Sequence, residues 1–316
     1  MLNRRFLRVK VLQALYGYHS GSYDSIQKGE KEMLKSIDRV FELYIYVLDL
    51  ILEIWKIAED EIELGKQKKV PSREDLDPNF KFINNRAHAI LDSNEELLRL
   101  RSNHKTNWKD EFENNRKLFR NIRLSETYKN YMHNSTNDFD EDKKFLKKLF
   151  EDWISNYDMV VQFLEEKSIY WTNDLEAVTV GVSKTIKALK RESKPYQSIL
   201  LPVLKDPQDD IDFVKTLYRK CILHSEDYEN LISTKTQNWE VDRIAQMDMM
   251  LMKMAITEFE QLETVPTKVT INEYIELAKA FSTVKSRSFI NGLLDKSLAE
   301  LQKQDRVKKI GRGLIG

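Results

Sequence analysis

Apolar residues recur at helical intervals near the start of the chain. Between Arg4 and His19 they fall on one side of a helical wheel, which predicts an amphipathic helix packed on a core. The arginines of this segment fall elsewhere on the wheel, and we expect them to project outward. The apolar positions are Phe6, Val9, Leu12 or Gln13, and Tyr16, and the arginines are Arg4, Arg5 and Arg8.

A longer periodic pattern, over residues 26–63, predicts one long buried helix. Between residues 65 and 92 charged residues and two prolines, Pro71 and Pro78, break the pattern, which is typical of a loop. Two further helices are predicted over residues 95–131 and 143–167. A domain boundary is expected where three prolines cluster, at Pro195, Pro202 and Pro207.

The last third of the chain has the clearest periodicity. It predicts helices over residues 211–223, 239–259, 271–281 and 288–302. The methionines of the second helix have core spacing, so we interpret them as packing residues rather than as an adaptable binding surface. Thr270 and Glu273 have the spacing of a capping box that would start the third helix.

Composition favours the same fold class, because the 316 residues include only 9 glycines and 6 prolines. The 51 basic and 51 acidic residues cancel, which argues against indiscriminate nucleic-acid binding. Both ends are nevertheless basic, since residues 1–23 and 306–316 contain no acid. These ends either guide a localised anionic partner or are ordinary solvated termini.

The single cysteine, Cys221, excludes an intramolecular disulfide and is expected to be buried. Charged residues interrupt every apolar stretch long enough to suggest a signal peptide or a membrane span. A reducing cytoplasm is the localisation that these features favour.

No motif for catalysis, metal or nucleotide binding occurs. The sequence contains no Walker loop, G-x-G-x-x-G, G-x-S-x-G or H-E-x-x-H, and none of the five histidines has a partner at metal-ligand spacing. We therefore expect a protein that is not an enzyme and that holds no metal or cofactor.

The two ends of the chain resemble the NusB family. At the front, RRFLR at residues 4–8 precedes LQALY at residues 12–16. At the back, VP at 265–266, INE at 271–273, IELAK at 275–279 and FINGLLD at 289–295 follow in the family's order. The likeness covers roughly residues 1–22 and 197–304.

The resemblance implies an all-α fold, a NusB-like helical bundle domain with an additional helical insertion. We expect residues 1–25 and 195–304 to form the RNA-binding domain, residues 26–194 the insertion, and residues 305–316 a basic tail. The resemblance to the NusB family also implies a transcription antitermination factor that binds boxA-type, single-stranded RNA together with the ribosomal protein NusE. Such a pair joins the RNA polymerase antitermination complex at ribosomal RNA operons.

The resemblance also implies functional residues, at the positions of this sequence that match the NusB family's motifs. Those expected to bind RNA are Arg4, Arg5, Arg8, Lys10, Lys285 and Phe289. Those expected to face NusE are Tyr16 and Asp248, where aspartate replaces the family's usual glutamate. Both aromatic residues could instead belong to the core, and Asn291-Gly292 could serve helix packing alone.

Two other functions remain open at this point. An RNA-modifying enzyme would need a second domain with a glycine-rich nucleotide-binding loop, which nine scattered glycines do not supply. A helical protein-interaction module with reduced or lost RNA binding fits the neutral charge and the large insertion. A partner-binding or self-associating role for the insertion is compatible with the main hypothesis.

Overall fold

The computed structural model describes residues 1–236 and 244–314, and within these ranges it contains helices and turns but no β-strand. The predicted all-α class is confirmed. The first residues of the helix predicted over 239–259 lie outside the described residues.

The helices of the first two thirds are α1 (Arg4–His19), α2 (Ile26–Lys66), α3 (Arg73–Leu76), α4 (Arg86–Asp92), α5 (Glu95–His104), α6 (Phe112–Leu124), α7 (Glu126–His133), α8 (Phe139–Leu149), α9 (Asp158–Lys167) and α10 (Leu175–Ala188). Those of the last third are α11 (Pro207–Leu223), α12 (Ser225–Lys235), α13 (Gln246–Gln261), α14 (Thr267–Phe281) and α15 (Val284–Lys303). Short 3-10 turns occur at Lys109–Glu111, Ile169–Trp171 and Gly311–Leu314, and a π-helix at Phe150–Ile154.

The helices predicted at the two ends are present in the structure, although α11, α14 and α15 each begin about one turn before the predicted residue. Several helices in the middle differ from the prediction. The predicted loop contains α3 and α4, and the predicted helix over 95–131 is three helices. Lys105, in the left-handed conformation at φ 50°, ends α5. The helix predicted over 143–167 is divided by the π-helix, and α10 and α12 were not predicted.

The chain divides into two compact units. A middle unit comprises Asp38–Val203 with Met1, and a terminal unit comprises Leu2–Ile37 with Leu204–Gly316. One boundary therefore falls inside α2. The domain limits expected from the sequence, at residues 25/26 and 194/195, stay a prediction.

The middle unit is built around α2, whose central residues are buried on every side. Trp55 is fully buried, stacks on Phe82 with 4.1 Å between ring centroids, and donates its indole N–H to the Phe82 carbonyl oxygen at 3.0 Å. Tyr44 joins α2 to α10, with 2.6 Å between its hydroxyl and that of Thr185.

The terminal unit packs α1 against α11 and α13, and α13 against α14 and α15. Its core includes Cys221, Met250 and Met254, which were expected to be buried, and also Met252, whereas Met247, expected to face inward as well, is half-buried. Asn3 caps α1 by accepting a hydrogen bond from the backbone N–H of Phe6 at 2.9 Å.

A buried ion pair joins three helices of the terminal unit. The Arg8 guanidinium in α1 donates two hydrogen bonds to the Glu258 carboxylate in α13, at 2.8 and 2.6 Å, and both side chains are almost completely buried. From α14, Thr270 donates to Glu258 Oε1 at 2.8 Å and Tyr274 to Oε2 at 3.3 Å. Burial opposes the charge on Arg8, but the Glu258 carboxylate outweighs it, so the pKa of Arg8 is raised.

The expected capping box at Thr270 and Glu273 is wrong. α14 begins one turn earlier, at Thr267 after Pro266, so Thr270 lies inside the helix. Its hydroxyl serves the buried Glu258 carboxylate, and the Glu273 side chain pairs with Arg5. The sequence pattern fits both arrangements, and the tertiary ion pairs decide between them.

Among the described residues no helix is both long enough and apolar enough to cross a membrane.

We expect Arg8→Met to lower the free energy of unfolding by about 3–5 kcal/mol, because it leaves the buried Glu258 carboxylate without its counter-charge. The double variant Arg8→Met/Glu258→Leu should recover much of that loss. Arg5→Met, which breaks a largely exposed pair, should cost less than about 1 kcal/mol. Urea unfolding measures all three, and equal losses for Arg5→Met and Arg8→Met would contradict the assignment.

A pH dependence is expected from His88, which is buried in the middle unit and stacks on Trp55 at 4.5 Å. Burial lowers its pKa from 6.5 to about 3. Below pH 6.5 His88 is therefore protonated in the unfolded chain but stays neutral in the folded chain. The free energy of unfolding falls as the pH drops from 6.5 toward 3.

The matched variant is His88→Phe, which keeps a ring at this position but cannot titrate. Between pH 6 and pH 4 the natural chain should lose up to about 1.4 kcal/mol per pH unit relative to this variant. Urea unfolding at several pH values gives the difference, and parallel pH profiles would show that His88 is not the titrating group.

Candidate nucleic-acid interface

The first turn of α1 carries two arginines that are held at the surface by carboxylates. Arg5 makes a bidentate pair with Glu273 of α14, with both donor–acceptor distances 2.8 Å, and its side chain is 48% exposed. Arg4 pairs with two aspartates at the start of α11, reaching Asp210 at 3.1 Å. The hydrogen bonds that Arg5 donates to the Glu273 carboxylate raise the pKa of Arg5.

Two of the basic residues predicted to bind RNA are buried instead. The expectation that Arg8 projects outward is wrong, because its guanidinium is committed to Glu258. Lys10 is 1% exposed, and its ammonium lies 5.5 Å from the centroid of the Phe6 ring. Helical spacing alone did not reveal this, since a paired arginine and an outward arginine occupy similar wheel positions.

The first turn of α15 carries the second group of basic residues. Thr283 caps this helix by accepting from the backbone N–H of Ser286 at 3.2 Å. Lys285 is exposed, and Phe289, one turn later on the same face, is half-buried. Arg287 belongs to this turn as well. Arg287 was not among the residues predicted to bind RNA, because the predicted helix began only at residue 288.

Glu276, a carboxylate of α14, lies within electrostatic range of basic residues from both α1 and α15. Glu276 of α14 accepts a hydrogen bond from Lys279, the main reason that its pKa is lowered. Arg5 of α1 and Arg287 of α15 both lower it further through their charge. We call the surface formed by Arg4, Arg5, Lys279, Lys285, Arg287 and Phe289 the basic surface.

The helix ends add to the positive potential of the basic surface. The first turns of α1 and α15 contain no acidic residue, although acids are favoured there by the helix dipole. Arginine and lysine at such positions oppose the dipole and reduce local stability. Basic residues in the first turn of a helix, where acidic ones are preferred, often mark a functional site. Helix N-termini are also favourable places for anions to bind.

Tyr16 and Asp248, the residues expected to face a protein partner, differ in accessibility. Tyr16 is 47% exposed in α1, whereas Asp248 is buried in the first turn of α13 and accepts a hydrogen bond from the Ser282 hydroxyl. α1 pairs with α13 at Arg8 and Glu258, and His19 lies within electrostatic range of Lys253. This antiparallel arrangement places Tyr16 and Asp248 toward the same end of the helix pair.

The basic tail is largely committed to the terminal unit itself. Arg306 pairs with Asp227 and Glu260. Lys309 donates to the carbonyl oxygens of Glu258 and Leu262 at 3.0 and 2.9 Å, which caps the end of α13. Burial lowers the pKa of Lys309 to about 8. Lys308 is exposed, and the Arg312 side chain lies outside the described residues.

A family model and the curated relatives of this chain carry the same family description. The family model described as "NusB family" matches residues 175–299, a range that begins in α10 of the middle unit and continues through the terminal unit. A curated "Transcription antitermination protein NusB" from Salinibacter ruber is 38% identical over 139 residues, which cover 43% of this chain and 87% of that protein.

Two other proteins of the same description are similar over shorter stretches. The one from Chloroherpeton thalassium is 41% identical over 33% of this chain and 49% of its own length. The one from Finegoldia magna is 41% identical over 28% of this chain and 64% of its own length. No solved structure matches this chain. With 87% of a 38%-identical relative covered and a family model matching α10 to α15, this chain belongs to the NusB family of transcription antitermination proteins.

Proposed function

We propose that this chain is a transcription antitermination factor that binds boxA-type, single-stranded RNA together with the ribosomal protein NusE, within the RNA polymerase antitermination complex at ribosomal RNA operons. The observation that carries the RNA part is that basic residues stand in the first turns of α1 and α15, which contain no acid, and that Arg5 and Arg287 from these turns both lie within electrostatic range of Glu276.

Within this proposal the phosphates meet Arg4, Arg5 and Lys285 on the basic surface. An arginine guanidinium is planar and matches phosphate oxygens, and it is weakly hydrated enough to exchange one anionic partner for another. The Glu273 carboxylate keeps Arg5 in place before RNA arrives. Phe289 provides an aromatic ring on which an unstacked base can lie.

Arg8 and Lys10, predicted from the resemblance to bind RNA, enter the proposal as positioning residues. Because Arg8 fixes α1 on α13 through Glu258, it determines where Arg4 and Arg5 stand. Lys10 is buried one turn after Phe6, with its ammonium 5.5 Å from the centroid of the Phe6 ring, and its part in the proposal is to help hold α1 in place.

The proposed NusE contact centres on Tyr16, an exposed tyrosine at the opposite end of α1 from the arginines. Asp248 supports the contact from beneath, since its buried carboxylate holds Ser282 at the end of α14. The alternative is a helical protein-interaction module with reduced or lost RNA binding. In that case the contact with NusE is retained.

The first test of the proposal is RNA binding by single-site variants. Arg5→Ala and Lys285→Ala should weaken binding of a single-stranded boxA-type RNA and each reduce the slope of log affinity against log salt by about 0.7, the value for one phosphate contact on a single strand. Phe289→Ala should remove about 1–3 kcal/mol of base stacking with little change in the slope.

Two further variants sharpen this test, with fluorescence anisotropy at several salt concentrations as the measurement. Glu276→Gln removes a carboxylate within electrostatic range of both Arg5 and Arg287 and should tighten binding. Lys303→Ala, at an exposed lysine in the last turn of α15, should leave binding unchanged. Salt-independent affinity, or equal affinities across the set, would favour the interaction-module alternative.

A separate test addresses NusE. Tyr16→Ala should lower NusE affinity by about tenfold, the loss typical of an interface tyrosine worth more than 1 kcal/mol. Tyr196→Ala, at a tyrosine in the middle unit that is 74% exposed, is the matched control and should bind NusE normally. Isothermal titration with purified NusE gives both constants, and identical constants for the two variants would place the contact elsewhere.

A further inference from the structure

A groove of about 660 Å³ opens in the middle unit, between the end of α2, the segment around α3, and helices α6 and α7. This volume falls within the range of about 300–1,000 Å³ that ligand-binding clefts have. The basic surface lies entirely in the terminal unit, so the groove is a separate feature of the chain.

Aromatic and aliphatic side chains line the bottom and the edge of the groove. Phe82 and Phe119 are buried beneath it with 5.6 Å between their ring centroids, and Tyr128 lies 5.3 Å from Phe82. Leu64, on the α2 side, is 58% exposed. An exposed leucine beside an aromatic floor is suited to receive another apolar side chain.

One wall of the groove carries a row of arginines on α6. Arg116, Arg120 and Arg123 all line it, at the i, i+4 and i+7 positions that share a helix face. Arg123 is paired with Glu61 at 3.1 Å, and Arg116 is 3.5 Å from a well-exposed glutamate in its own helix. Arg120 is exposed and makes no ion pair within the described part of the chain.

The wall formed by the segment around α3 is mostly acidic. Glu74 and Asp77 line it and are exposed, and Lys68, which also lines the groove, is paired with Asp75 at 2.8 Å. A nucleic-acid strand with a negative charge at every phosphate would meet repulsion from this wall. A peptide can place its carboxylates against the arginines and present neutral or basic groups to Glu74 and Asp77, so the charge distribution favours a peptide.

We propose that this groove binds a segment of a protein partner that carries acidic residues next to a large apolar side chain. The apolar side chain fills the space above Phe82 and Phe119. The carboxylates pair with Arg116 and Arg120, whose guanidiniums offer the planar donor geometry that carboxylates match. Because the groove lies outside the basic surface, this binding is independent of RNA.

The test is selection of peptides from a random 12-residue display library on the full chain. Selected peptides should contain at least two acidic residues and a large apolar residue. Synthesised with a fluorescent label, they should bind the natural chain at least tenfold more tightly than Arg116→Glu/Arg120→Glu. The Glu74→Lys/Asp77→Lys chain should bind them as tightly or more tightly, because it removes negative charge from the opposite wall.

Two controls guard against unrelated causes. Circular dichroism should give the same helix content for all variants, and Lys187→Glu/Arg191→Glu, at exposed residues of the same unit, should leave peptide affinity unchanged. The proposal is overturned if the selected peptides bind the Arg116→Glu/Arg120→Glu chain normally, or if no peptide is enriched. It is also overturned if the Arg116→Glu/Arg120→Glu chain binds a 12-nucleotide poly(U) RNA tenfold more weakly than the natural chain does, while its affinity for the peptides is unchanged.

Discussion

The buried pair between Arg8 and Glu258 is the interaction on which the terminal unit depends. It joins α1, from the beginning of the chain, to α13, which lies 250 residues later, and Thr270 and Tyr274 add α14 to the same carboxylate. A charge removed from water at this depth is tolerated only when it is fully paired and hydrogen-bonded. Other positions of α1 relative to α13 and α14 would leave the carboxylate or the guanidinium unpaired, so the pair specifies the arrangement of the three helices.

The surface chemistry follows from that arrangement. With α1 fixed, Arg4 and Arg5 stand at its exposed first turn, where Asp210 and Glu273 hold them. These cations oppose the dipole of their own helix, and the neighbouring carboxylates offset the cost. An incoming polyanion would replace those carboxylates rather than order a mobile side chain, which reduces the entropy lost on binding.

In the middle unit aromatic packing accompanies ion pairs with buried carboxylates such as Asp49 and Asp142. Trp55 lies between Phe82 and His88, and its N–H is satisfied by a backbone carbonyl. The charged side chains of α3 and α6 remain at the surface, where they line one groove. In both units the surface cations stand beside carboxylates, as Arg5 does beside Glu273 and Arg123 beside Glu61.

The sequence by itself determined the helical class, the helices at both ends, the burial of Cys221 and the methionines, and the family. These properties depend on local periodicity and on short motifs, which act over a few residues. Only the tertiary structure decided that Arg8 and Lys10 are buried, that Thr270 donates to Glu258 instead of capping α14, and that Arg287 comes within electrostatic range of Glu276. Arg8 and Thr270 each meet a carboxylate on another helix, 250 and 12 residues away in the chain. Helical spacing gives a side chain's direction but not the charge that it meets there.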